Sequence, residues 1–101
     1  MPIKARLRGP SGEVEMLLDP ENALHRVLPA EDDSSFSLLN TIDWYDITEF
    51  HSRDMPEFLK ELKRVTERAT RPADRAYLAD LRRLAEECAS RPDCILRFVG
   101  D

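Results

Sequence analysis

The chain has 101 residues, 42% of them apolar and 35% charged, with a formal net charge of −5 and an isoelectric point near 5.0. That length holds one domain with one core, and the apolar share is too high for a disordered chain. The acidic balance has the wrong sign for gripping phosphates, and the bases are interleaved with acids, so nucleic-acid binding is disfavoured.

The opening MPIKARLRG alternates bases with apolar residues. A secretory leader would instead run into an unbroken apolar stretch of ~7–15 residues. No stretch anywhere is apolar enough to span a bilayer. The expectation is a cytoplasmic protein without membrane contact. Residues 3–8 (IKARLR) put Ile3, Ala5 and Leu7 on one side and Lys4, Arg6 and Arg8 on the other, the period of a half-buried strand. GPSG is a turn signal, and EVEMLL alternates again with Val14, Met16 and Leu18 expected inward. With GPSG as the hairpin loop, Arg8 faces Glu13, Leu7 faces Val14, Arg6 faces Glu15 and Ala5 faces Met16. Opposite charges would then meet on the wet side, which sets the expected register.

Asp19-Pro20 ends the second strand, and residues 21–35 have no periodic pattern, with Pro29 excluding a long helix. Ser34 or Ser35 can cap a short helix carrying Phe36, Leu38 and Leu39. Residues 42–50 fit either a strand or an ordered loop. Asp54 with Glu57 three residues on, and Pro56 between, reads as a helix start. Phe58, Leu59, Leu62, Val65 and Ala69 follow at helical spacing. A second helix begins near Thr70-Arg71-Pro72, with Tyr77, Leu78, Leu81, Leu84, Ala85 and Cys88 as its apolar stripe. CILRFV, apolar on nearly both faces, reads as a central strand. The spacing predicts a two-layer α+β domain spanning 1–101, with an antiparallel helical hairpin on a small, mainly antiparallel sheet, in the order β-β-irregular-α-α-β.

Cys88 and Cys94 are the only cysteines, and six residues apart they match neither a redox C-x-x-C nor a zinc knuckle. They are expected as reduced core residues, a disulfide being the alternative. His25 and His51 lack zinc spacing, and the acids at 31–33 and 43–49 lack the turn glycine of a calcium loop, so neither metal nor cofactor is expected. Asp43 with Asp46, Asp46 with Glu49, or His51 with its acidic neighbours could be read as acid–base pairs. Such spacings are common in acidic loops, and no nucleophile elbow, zinc-protease helix or phosphate loop accompanies them. No catalytic residue is assigned.

Charge is the more informative feature. Between Val27 and Ser52 lie six acids, Glu31, Asp32, Asp33, Asp43, Asp46 and Glu49, and no lysine or arginine. With Arg53 included, that segment sums to −5, the net charge of the whole protein. The same segment holds Trp44, Tyr45, Phe36 and Phe50. Aromatic anchors inside an acidic rim suit a docking surface for a basic protein, although Trp44 and Phe50 could equally be core. The expected partner-facing residues are Asp32, Asp33, Asp43, Trp44, Tyr45, Asp46 and Glu49.

The string LLNTIDWYDITEF, the helix after it and the closing LRFVGD resemble a group of small uncharacterised bacterial proteins sharing an LLxxIDxYDxTxF…LRFxGD-like pattern. The overlap covers residues 38–65 and 94–101, and the resemblance brings no catalytic residues with it. Small size and acidity are also similar in character to immunity proteins, which bind and block a toxin domain. The reading from sequence is a non-catalytic acidic binding module acting through residues 31–51, most concretely an immunity or inhibitor protein against a basic toxin or nuclease domain. A regulatory or housekeeping interaction domain is the alternative, and a small enzyme the third.

Overall fold

The computed structural model describes residues 3–29 and 34–100. Its elements are β1 (Lys4–Gly9), β2 (Gly12–Leu17), α1 (Ala23–Val27), β3 (Ile47–His51), α2 (Met55–Arg68), α3 (Pro72–Ala89) and β4 (Ile95–Val99), with 3₁₀ turns at Leu39–Thr41 and Ser52–Asp54. The strands form one antiparallel sheet in the order β2-β1-β4-β3. The two-layer α+β domain expected from the pattern is what forms, and β4 lies in the sheet interior.

Alternation in each strand sends one set of side chains toward the helices: Ile3, Ala5 and Leu7, then Leu96 and Phe98, and Phe50, all buried. They meet Met55, Phe58, Leu62 and Val65 of α2, and Leu78, Leu81, Leu84 and Cys88 of α3. At the centre the rings of Phe50, Phe58 and Phe98 lie 5.2–6.1 Å apart, each worth ~1.5–3 kcal/mol in burial. Three residues separate α2 from α3, so the two helices pack side by side. The opposite side of the sheet carries Lys4, Arg6, Arg8, Met16, Ile47, Glu49, Ile95 and Arg97, all exposed or half-buried.

The hairpin register differs from the expected one. Arg8 does face Glu13, but a bulge follows, so Glu15 faces Leu7, Met16 faces Arg6 and Leu17 faces Ala5. Val14, Met16 and Leu18 are consequently exposed at 45%, 40% and 56%. The shift is compensated from the helical layer. Glu15, turned to the helix side, takes a bidentate ion pair from Arg83 of α3 at 3.1 and 2.5 Å, and Leu17 packs against the core. Arg6 finds Glu13 instead of Glu15, with Nε 3.5 Å from Oε1 and no hydrogen bond of good geometry.

Buried carboxylates organise the stretch between β2 and β3. Asp19 accepts the N–H groups of Ala23 and Leu24 at 2.7 and 2.9 Å, and so starts the short helix α1 where no periodicity announces one. Glu61, 1% exposed, accepts the N–H groups of Leu38 and Leu39 at 3.1 and 2.9 Å from a helix more than twenty residues away. Asp74, 3% exposed, holds Arg26 of α1 at 2.6 Å. Asp54 also caps, but backward: its Oδ2 accepts the N–H of His51 at 2.8 Å. Both cysteines are free and buried, and burial pushes the Cys88 thiol up to about 11. No helix among the described residues is long and apolar enough to cross a membrane.

Two predictions follow from these carboxylates. Glu61→Ala should lower unfolding free energy in urea by about 2–4 kcal/mol, since each stranded N–H costs about 1–3 kcal/mol, and Glu61→Gln should lose less because one acceptor oxygen remains. Asp74 has its pKa lowered, first by the Arg26 hydrogen bond. A depressed folded pKa means stability present above the usual carboxylate range and lost as pH falls through the folded value. The urea midpoint of the wild type should therefore fall more steeply on acidification than that of Asp74→Asn.

Candidate functional site

The acidic, aromatic segment forms a turn between the 3₁₀ turn at Leu39–Thr41 and β3. Its own polar side chains fold it, which is what Asp and Thr do best outside regular elements. Asp43 Oδ1 accepts the Tyr45 N–H at 2.8 Å, and Asp46 Oδ1 accepts the Ile47 N–H at 2.8 Å. Thr48 Oγ1 accepts the Asp43 N–H at 2.9 Å and so ties the start of the turn to β3. The far side is fixed by the chain end: the Gly100 N–H donates to the Asp46 carbonyl at 2.8 Å.

Gly100 is required there by space. A Cβ at this position would lie 2.5 Å from the Trp44 carbonyl carbon and oxygen, and 2.7 Å from the Asp43 oxygen. The two parts of the pattern quoted above, IDWYD and LRFVGD, thus touch through backbone, and the second has no room for a side chain where it meets the first.

Within the turn the two aromatics take opposite roles. Trp44 is half-buried, packs against the core and meets the His25 ring edge-on at 3.7 Å. The Nε2 of His25 is buried without a hydrogen-bond partner among the described residues. Tyr45 points away and is 81% exposed, the most exposed large side chain of its class among the described residues. Ile47, directly after the turn, is 53% exposed. Asn40 to Tyr45 line a surface depression of about 400 Å³.

Of the residues expected to face a partner, Asp43, Trp44, Tyr45 and Asp46 come together in this turn. Glu49 does not join them. It lies on the open side of the sheet and pairs with Arg97 across β3 and β4, accepting from Nε at 2.6 Å. Asp32 and Asp33 lie outside the described residues. Asp43 and Asp46 are exposed, and each has one oxygen engaged by a backbone N–H. No group of three or more His, Cys, Asp or Glu that could hold a metal occurs among the described residues. The exposed apolar side chains of Met16 and Leu18 escaped the sequence reading, because strict alternation had turned them inward and nothing local marks the bulge.

No protein-family model matches the chain, and neither a curated protein nor a solved structure matches it significantly.

The geometry predicts that Gly100→Ala is destabilising although Gly100 is not in a left-handed conformation. The added methyl must push the 43–46 backbone away, so the melting temperature should fall and the Trp44 fluorescence should shift as its packing on His25 loosens. A variant with wild-type melting and emission would show that the turn gives way at little cost.

Proposed function

We propose that the protein is a non-catalytic binding module that docks a basic protein partner on the Asp43–Asp46 turn and the adjoining strand β3. The most concrete form of this reading is an immunity or inhibitor protein against a basic toxin or nuclease domain. The observation that carries it is Tyr45, 81% exposed between two exposed carboxylates on a turn fixed by hydrogen bonds at both ends. A free, flexible tyrosine would lose its mobility on binding. Here the backbone beneath the ring is already held, so docking costs less ordering entropy.

The carboxylates add a separate effect. Asp43 and Asp46 are exposed and use only one oxygen each for the turn, and such an acidic surface steers a cationic one toward the anchor and speeds encounter. Against a nuclease they would occupy the space of a substrate phosphate. Exposed Ile47, directly after the turn, extends the apolar part of the surface.

The test begins with capture from cell extract at low salt, followed by binding kinetics with the retained protein. Basic proteins should be held by the wild type and released by added salt. Tyr45→Ala should weaken binding about thirtyfold, the ~2 kcal/mol of an interface anchor. Asp43→Asn with Asp46→Asn keeps the oxygens that accept the Tyr45 and Ile47 N–H groups, so it should leave melting nearly unchanged and slow association at low salt. Retention that is indifferent to all three substitutions, or a set of acidic proteins, would sink this reading.

A further inference from the structure

A second pocket, of about 370 Å³, opens at the corner where the end of α1, the last turn of α2 and the first turn of α3 meet. Its size falls in the range of small-molecule sites. The floor is apolar: Val65 of α2 and Ala69 just after it are buried, and Val27, Leu28 and Pro29 are half-buried. Among the described residues, three arginines, Arg26, Arg68 and Arg71, and a single acid, Asp74, make up its charged lining.

These charges do not cancel. Arg26 is committed to Asp74, with Nη2 at 2.6 Å and Nε at 3.1 Å, and its Nη1 donates to the Glu21 carbonyl at 2.6 Å. That pair is internally satisfied, and Asp74 also answers the positive end of α3. Arg68 lies with its guanidinium 5.0 Å from the centre of the Phe36 ring and makes no ion pair among the described residues. The Arg71 side chain makes neither an ion pair nor a hydrogen bond among them, its charge being felt by Asp74 only at longer range. Two exposed cations without an ion pair among the described residues therefore stand on the rim of a pocket with an apolar floor, in a protein whose net charge is −5.

The hollow beside Ser35 also has bases, Lys60, Lys63 and Arg64, but Glu57 and Glu67 are interleaved with them and its lining is nearly neutral. That is the ordinary solvated face of a helix. At the α1–α2–α3 corner the acid is already paired and the floor is apolar. We propose that this corner binds a small organic anion, a carboxylate or phosphate monoester on an aliphatic body, with the head at Arg68 and Arg71 and the body on Val65, Ala69 and Leu28. Guanidinium groups suit such heads because their N–H pairs match two oxygens at once.

The site is independent of the Tyr45 surface, so the two readings fail separately. The experiment is an amide NMR titration of the full chain with octanoate, beside octanol as the neutral body and inorganic phosphate as the bare head. Octanoate should give saturable shifts at Leu28, Ala69, Thr70 and Arg71, and bind at least about tenfold tighter than either control. Arg71→Gln should weaken octanoate about tenfold with spectra otherwise superimposable, and Arg71→Lys should recover part of the loss. Arg68→Gln should weaken it too, although that variant also disturbs the contact with Phe36. No saturable shift at this corner, octanol binding as tightly as octanoate, phosphate binding as tightly as octanoate, or wild-type affinity in Arg71→Gln would each overturn the proposal.

Discussion

The final strand carries the architecture. β4 is paired on both sides, to β1 through Lys4–Val99 to Arg8–Ile95 and to β3 through Ile47–Val99 to His51–Ile95. Without it the β1–β2 hairpin and β3 would have no shared hydrogen bonds, and the helices would have no continuous surface to cover. Leu96 and Phe98 also bring the core to both sheet halves. The strands that β4 joins lie about ninety and about fifty residues before it, so the loop-closure entropy of joining distant segments falls on this one strand. Gly100 extends the dependence to the Asp43–Asp46 turn, whose backbone rests against it.

A second layer of constraint comes from acids that are not on the surface. Asp19, Glu61 and Asp74 are buried, and each holds backbone or an arginine in the stretch that lacks strands. Buried N–H groups need acceptors, and a segment without regular structure cannot supply them from its own ladder. Helices α2 and α3 therefore lend carboxylates to it. Counting acids along the chain treats all twenty alike; folding divides them into those that build and those left facing water.

That division shapes the functional reading. The turn at 43–46 uses one oxygen of each aspartate for its own folding and leaves the rest of the charge outward, with Tyr45 between. Glu49 is taken up by Arg97. The acidic protein also has a local basic corner at Arg68 and Arg71, two cations with no ion pair among the described residues, beside an apolar floor. Charge of both signs is sorted by position in the fold, so net charge alone describes neither surface.

Much of the architecture could be read from residues alone. The helical spacing of Phe58, Leu62 and Val65 and of Leu78, Leu81 and Leu84, the alternation of Ile3, Ala5 and Leu7, and the apolar character of CILRFV depend on local periodicity, and local periodicity is what a core-facing element must have. The aromatic, acidic turn was visible as composition. Which of its members pack, point out or pair with a neighbour was not, because that depends on Gly100, Thr48, His25 and Arg97, from other parts of the chain. The β2 register went the other way for the same reason. Alternation places Val14 and Met16 inward, whereas Arg83, nearly seventy residues later, holds Glu15 on the helix side of a bulged strand. Helix α1 had no periodicity to show, since a buried aspartate four residues ahead starts it. Sequence by itself determined the elements whose signal is repeated along them; the tertiary structure decided every position set by a single distant partner, since one contact leaves no period to read.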